Sequence, residues 1–241
     1  MGRNQNVFCR EELKYMLGGT QYEELLALLG TRIVPDKFYI SRIVSVYYDT
    51  PDHLLIRRSL EKSKYKEKLR LRCYGVPDEN SEAFVEIKKK VKGVVYKRRE
   101  SLPYKQAVDF LSGSGQGGSS QIFRELDWFL KFYGDLQPTM FLSYDRQSYK
   151  GTDDGSVRIT FDKDILWRTE SLDARSGIWG TPLFAPDRRL MEVKIRGAMP
   201  LWLSHILAQI KAYPHSISKY GLAYQTWVRQ EMCKGEERRY A

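Results

Sequence analysis

Cysteine and histidine are scarce, with three of each in 241 residues. The cysteines, at positions 9, 73 and 233, are odd in number and include no CxxC pair. That argues against a disulfide framework and for a reducing compartment. The histidines, His53, His205 and His215, show no zinc-ligand spacing with those cysteines and are read as packing or surface residues. Long apolar runs are missing too. Nothing approaches the roughly 18 consecutive apolar residues needed to span a bilayer, and the first fifteen residues hold no signal-peptide core. A soluble, cytoplasmic protein is therefore expected. There is no P-loop, no dinucleotide fingerprint, and no Ser-His-Asp or Cys-His arrangement for nucleophilic catalysis.

What is abundant is positive charge. Forty Lys and Arg against 30 Asp and Glu leave a formal charge of +10, so a polyanionic partner is the first expectation. The 42% hydrophobic and 13% aromatic content suffices for a real core and excludes a disordered tail. The one linker-like stretch, SGSGQGGSSQ at 112–121, is not read as a boundary, because strands of the same character resume beyond it. A single domain over 1–241 is expected.

The pattern predicts strands over 7–17, 42–48, 65–75, 83–93, 94–103, 139–151, 156–168 and 190–197. Helices are expected from a Thr20–Glu23 capping box to Gly30, from Thr50-Pro51 through 63, over 104–111 and 122–134, from Pro200, and after Ser218. A hairpin turn falls at Lys92-Gly93, residues 173–188 read as loop, and the helical spacing of Trp128, Phe129 and Phe132 reads as core.

Most strands alternate charge with aliphatic residues. Lys66, Lys68, Arg70 and Arg72 oppose Leu69, Leu71 and Cys73, and Glu86, Lys88 and Lys90 oppose Val85, Ile87 and Val91. Any one strand of this kind is explained by a solvated face over a core. Taken together, however, the basic faces each hold one acid: Glu12 with Lys14, Glu86 with Lys88, Arg158 with Asp162, Glu192 with Lys194. The helices carry apolar stripes that need the aliphatic faces. If helices lie outside, the charged faces point inward, and a closed antiparallel barrel with a polar interior satisfies both demands. That interior collects Lys14, Arg70, Arg72, Lys88, Arg146, Arg158, Lys194 and Lys219 against Glu12, Glu86, Asp162 and Glu192. So many cations require a dense anion, and the acids suit a hard divalent ion such as Mg²⁺ or Mn²⁺ that bridges carboxylate and phosphate.

The segments RxELKY (10–15), KLRLR (68–72), FVEIKKK (84–90), YKRR (96–99), SYDRQSY (143–149), VRITFD (157–162), LMEVKI (190–195) and SISKYG (216–221) resemble, in order, the VTC domain. This is the catalytic domain of vacuolar-transporter-chaperone polyphosphate polymerases, in the triphosphate tunnel metalloenzyme (CYTH-like) superfamily. The resemblance implies an α+β fold: an eight-stranded antiparallel β-barrel tunnel with a basic interior and helices packed outside. It implies ATP-dependent elongation of inorganic polyphosphate with bound Mn²⁺ or Mg²⁺. Lys14, Arg70, Arg72, Lys88, Arg146, Arg158, Lys194 and Lys219 correspond to its phosphate-binding cations, Tyr144 to its tunnel tyrosine, Ser218 to the residue before the last lysine, and Glu192 to its metal-binding glutamate. No SPX-type helical domain or membrane segment is expected, as in the shorter bacterial members, although a membrane-protein partner is allowed.

Each assignment has a plainer counterpart. Lys88 lies in a run with Lys89, Lys90 and Lys92, and such runs are usually solvated. Glu12 reads equally as a metal ligand or as the ion-pair partner of Lys14. Lys219 is an ordinary first-turn residue unless the helix N-terminus binds an anion. A hydrolase of tripolyphosphate or nucleoside triphosphates needs the same cations with more acids, and only Glu12 has the right parity on the first strand. A non-enzymatic polyphosphate-binding module is the other alternative. Nucleic-acid binding is disfavoured, because Tyr65, Tyr74 and Tyr96 form no stacking platform by spacing.

Overall fold

The computed structural model describes residues 10–61, 63–92, 94–153 and 157–240. Residues 7–9 of the first expected strand, Gly93 of the expected hairpin turn and Ser156 lie outside them. The strands are β1 (Arg10–Leu17), β2 (Ile33–Asp49), β3 (Tyr65–Tyr74), β4 (Glu82–Val91), β5 (Val94–Pro103), β6 (Gln137–Gly151), β7 (Arg158–Arg168), β8 (Thr181–Pro182) and β9 (Arg189–Arg196). The helices are α1 (Gly19–Leu29), α2 (Leu54–Leu60), α3 (Tyr104–Leu111), α4 (Gln121–Tyr133), α5 (Leu201–Gln209) and α6 (Lys219–Tyr240).

The strands follow one path, β1-β9-β7-β6-β2-β3-β4-β5, with β8 paired to β7. Every register described is antiparallel. The sheet thus has nine strands rather than eight, and among the described residues it is not closed into a barrel, since β1 and β5 end the path. Alternation specifies which face of a strand is apolar, but whether the outermost strands pair is a matter of tilt and shear that it does not encode. The ninth strand is the two-residue β8, inside the expected loop and too short to carry a period.

The chain divides into two compact units: Met1–Ser41, Tyr144–Ile165 and Phe184–Ile217 in the first, Arg42–Ser143, Leu166–Leu183 and Ser218–Ala241 in the second. In the first unit, Tyr15 and Leu17 of β1, Ile159 and Phe161 of β7 and Met191, Val193 and Ile195 of β9 are buried beneath Leu25 and Leu29 of α1 and Leu203, Ile206 and Leu207 of α5. In the second, Val44, Val46 and Tyr48 of β2, Leu69, Leu71 and Cys73 of β3 and Ala83, Val85 and Ile87 of β4 are buried beneath Tyr104, Ala107, Phe110 and Leu111 of α3 and Phe123, Leu126 and Phe129 of α4. The helices therefore cover the aliphatic faces, and the charged residues of the same strands lie on the opposite face, as period 2 requires.

Three local expectations are corrected. α1 is capped at Gly18, whose N–H donates to Oε1 of Gln21 at 3.1 Å, two residues before the expected Thr20–Glu23 box; glycine has no side chain to complete a box. α2 begins at Leu54 rather than at Pro51. Its first turn is held by Thr50 Oγ1, which accepts from Leu54 N at 2.9 Å, and by the buried Asp49 carboxylate, which accepts from Leu55 N at 2.8 Å and Ile56 N at 2.9 Å. Of the three aromatics of α4 expected in the core, only Phe129 is there, at 0% exposure; Trp128 and Phe132 are 55% and 61% exposed and stack on each other at 4.8 Å. They are one turn apart on the solvent side, where the i, i+4 spacing joins them to each other and not to the core.

Phe129→Ala should accordingly cost about 3–5 kcal/mol of unfolding free energy, as large truncations in packed cores do. Trp128→Ala should cost less than about 1 kcal/mol. Urea titrations of both variants provide the check.

Candidate functional site

In the second unit the charged face is a ladder laid across four strands. Tyr47, Arg70, Glu86 and Arg99 form one row, because Tyr47 is opposite Arg70, Arg70 opposite Glu86 and Glu86 opposite Arg99. The next row holds Ser45, Arg72, Phe84 and Ser101. On the other side Lys88 lies between Lys68 and Lys97.

Glu86, with its side chain 2% exposed, is shared by four cations. Arg70 Nε and Nη2 both lie 2.7 Å from its Oε2, and Lys97 Nζ lies 2.7 Å from its Oε1. Arg72 Nε and Arg99 Nε stand off at 3.7 and 3.6 Å. Burial by itself would raise the Glu86 carboxyl, but Arg70, Arg72 and Lys97 outweigh it and hold it at about 2. Burial also pushes the Lys97 ammonium down to about 8; Glu86 opposes this, and Arg72 and Arg70 add to it. Tyr47 accepts a hydrogen bond from Arg70 Nη1 at 3.2 Å, and although burial raises its phenol, Arg70, Arg72 and Lys219 bring it below the ordinary value. Three donors on this face, Ser45 Oγ, Arg72 Nε and Arg99 Nε, are buried without a hydrogen-bond partner among the described residues. Four cations on one carboxylate, with donors left over, make a face suited to a multivalent anion.

The same unit holds Ser218 and Lys219. Ser218 Oγ caps α6 by accepting from Gly221 N at 3.2 Å, and also accepts from Lys68 Nζ at 2.8 Å. Lys219 is the first helical residue and is 9% exposed. Tyr220 anchors this end: its hydroxyl donates to Asp49 Oδ2 at 3.1 Å and its ring stacks on Tyr47 at 4.1 Å. Lys88 stays exposed.

In the first unit the balance differs. Lys14 pairs across β1 and β9 with Glu192, and Glu12 with Lys194. Lys14 Nζ lies 3.4 Å from Glu12 and 3.7 Å from Glu192; Lys194 Nζ lies 3.9 Å from Glu12 and 3.5 Å from Glu192. Lys14 Nζ also donates to the Ile217 carbonyl at 2.9 Å. Arg146 grips the fully buried Asp162 with two hydrogen bonds, Nε to Oδ1 at 2.6 Å and Nη2 to Oδ2 at 2.7 Å, and reaches Glu192 at 3.4 Å. Burial would lower the Arg146 pKa, but Tyr144, Asp162 and Glu192 together drive it well above its ordinary value. Tyr144 is 5% exposed, and the Arg146 guanidinium lies 5.3 Å from its ring centre.

Two predicted pairings are corrected. Asp162 pairs with Arg146, whereas Arg158 pairs with Asp36 at 2.6 Å. Glu86 takes its cations from β3 and β5 rather than from Lys88. Within one strand, i and i+2 side chains lie farther apart than cross-strand neighbours, so the better partner usually comes from the next strand. Lys97 and Arg99 were within the YKRR segment but carried no assigned role; only the β4–β5 register reveals them.

For a metal, Glu192 is the best-placed donor, because its cations stand at 3.4–3.7 Å and not in tight bidentate contact like that of Asp162. Among the described residues no group of three His, Cys, Asp or Glu side chains could hold a metal ion. The donor set thus fits an ion that takes one or two carboxylates and completes its shell with phosphate oxygens and water, the habit of Mg²⁺. It does not fit an all-protein cage.

A family profile, the VTC domain, matches residues 9–228. The chain belongs to the VTC domain family. Two solved structures share its fold: a candidate adenylate cyclase from Bacillus halodurans and a candidate adenylyl cyclase from Hippeastrum described as having a dominant triphosphatase activity. The first is 13% identical, covers 87% of this chain and 95% of its own, and has a TM-score of 0.52. The second is 13% identical, covers 89% and 95%, and has a TM-score of 0.53. At that identity the likeness is one of fold. No curated protein matches this VTC domain in sequence. Among the described residues, no helix is long and apolar enough to cross a membrane.

Glu86 leaves a signature in acid. With a folded value of about 2 against an ordinary 4.5, the unfolded chain binds more protons between those values, so its contribution is complete above pH 4.5 and is lost as pH falls toward 2. The shift corresponds to about 3 kcal/mol. Glu86→Gln should be less stable at pH 7 and should show a flatter stability profile between pH 5 and 2; parallel profiles for the two proteins would contradict the assignment.

Proposed function

We propose that this VTC domain transfers the γ-phosphate of ATP to the end of a growing inorganic polyphosphate chain. The observation that carries the reading is the crowding of Arg70, Arg72, Lys97 and Arg99 on the single carboxylate of Glu86, with buried donors unused. A face of this kind favours a ligand with several closely spaced negative charges over a single anion. In this reading Arg70, Arg72, Lys88, Arg146 and Arg158 hold the triphosphate, with Ser218 and Lys219 offering the N-terminal amides of α6 to a phosphate oxygen. Lys14, Tyr144 and Lys194 contact further phosphates. Glu192, with Glu12 beside it, holds Mn²⁺ or Mg²⁺.

The reaction needs little from side-chain acid–base chemistry. A terminal phosphate oxygen of the acceptor attacks the γ-phosphorus, the bond from that phosphorus to the β-phosphate oxygen breaks, and ADP leaves. The acceptor is already an oxyanion, so no base has to be tuned. The cations supply orientation and neutralise the charge that spreads over the transferred group. When bound, the divalent ion offsets charge on the phosphoryl oxygens. The whole described chain serves as one catalytic domain, with ATP and polyphosphate as its partners.

Hydrolysis is the second reading, favoured by the triphosphatase activity described for the Hippeastrum protein. Incubation with ATP and Mn²⁺ separates the two: polyphosphate is expected, whereas free phosphate alone selects hydrolysis and the absence of both leaves a binding module. Replacing Arg70 and Arg72 together with Ala should lower turnover by roughly a hundredfold or more. The fold should persist, because Lys97 still pairs with Glu86 at 2.7 Å. A variant that melts early, or one that retains full activity, would sink the assignment. Glu192→Ala should need more Mn²⁺ for half-maximal rate; coincident metal titrations for variant and wild type would count against a metal at this residue.

A further inference from the structure

The charged face of the second unit changes character at one end. The row beyond Arg72 and Phe84 carries Tyr74, opposite Ile43, in place of another cation. Tyr74 is 51% exposed, and its ring meets that of Phe84 edge-on, with centres 5.8 Å apart and planes at 83°. The Arg99 guanidinium lies 3.3 Å from the Phe84 ring centre and 6.0 Å from that of Tyr74. Arg99 thus stays within 3.6 Å of Glu86 while its guanidinium lies over Phe84, and its Nε has no hydrogen-bond partner among the described residues.

We propose that Tyr74, Phe84 and Arg99 form a shelf on which the base of a nucleoside triphosphate stacks. Planar guanidinium groups and exposed aromatic rings are the two side-chain surfaces on which nucleobases rest, and here they adjoin. The order along the strands suits the ligand. Tyr74 is followed on the same face of β3 by Arg72, Arg70 and Lys68, in rows separated by roughly 6.6 Å. A base on Tyr74 therefore leads its phosphates onto the cations and toward the lysine row of Lys68, Lys88 and Lys97. The shelf offers the Tyr74 ring and the Arg99 guanidinium, planar surfaces on which any purine can stack, so adenine and guanine should both be accepted. Single-strand spacing concealed the shelf, because its three members come from three adjacent strands.

The inference rests on the triphosphate reading above, and the test separates the two. Isothermal titration calorimetry of the full chain would use inorganic tripolyphosphate and the β,γ-imido analogues of ATP and GTP. Tyr74→Ala should weaken both analogues by roughly tenfold, the loss of one stacked base, and leave tripolyphosphate unchanged. Tyr74→Phe should bind all three like the wild type. Unchanged tripolyphosphate binding also certifies that the variant is folded. The shelf is overturned if Tyr74→Ala weakens neither class or both alike, if Tyr74→Phe is as weak as Tyr74→Ala, or if the wild type binds tripolyphosphate but neither analogue. In the first two cases the triphosphate reading survives; in the last the site still takes inorganic tripolyphosphate, but ATP as the donor falls with the shelf. A wild type that binds none of the three ligands removes both.

Discussion

Like charges crowded on one side of a sheet are the constraint on which the rest of this structure depends. Glu86 is buried at the centre of four cations, and without it Arg70, Arg72, Lys97 and Arg99 would repel one another across adjacent strands. One carboxylate can hold such a group together without neutralising it. The remaining positive charge, kept in place by β-ladder registers, is a standing demand for an anion. A binding site of this sort is made by an imbalance that the fold tolerates.

The first unit handles the same residue types differently. There Lys14 and Lys194 are interleaved with Glu12 and Glu192, and Arg146 is committed to Asp162 by two hydrogen bonds. Charge there is close to balanced, which suits a divalent ion or a weaker phosphate contact better than a strong anion trap.

The aliphatic faces explain why the charged ones lie opposite the helices. Each unit buries its Val, Ile, Leu and Phe residues beneath two helices, so the polar faces of the same strands must lie on the other side. α4 shows how narrow the covering stripe is. Phe129 is fully buried while its neighbour Trp128 and Phe132 one turn on are exposed, because a single helical stripe is about a third of the circumference. Hydrophobicity said that all three should be inside; the direction of each side chain decided otherwise. At α1 the cap is Gly18 rather than the expected Thr20, and at α2 the expected cap Thr50 is joined by the buried Asp49 carboxylate while the helix starts three residues after Pro51.

Period 2 in β1, β3, β4, β7 and β9 was enough to separate core from charge, to place Arg70 with Arg72 and Glu192 with Lys194 on polar faces, and to require helices over the other side. That information is local, since a side chain's face depends only on its position along its own strand. The partners were not local. That Asp162 holds Arg146 while Arg158 turns to Asp36, that Glu86 draws on Lys97 and Arg99, and that Tyr74 meets Phe84 and Arg99 all depend on register between strands. Register is set by turns, bulges and packing summed over the whole sheet, and so is the decision that leaves β1 and β5 at its two ends. The chain's own alphabet thus determined which residues lie on the charged faces, and only the tertiary structure decided which of them touch.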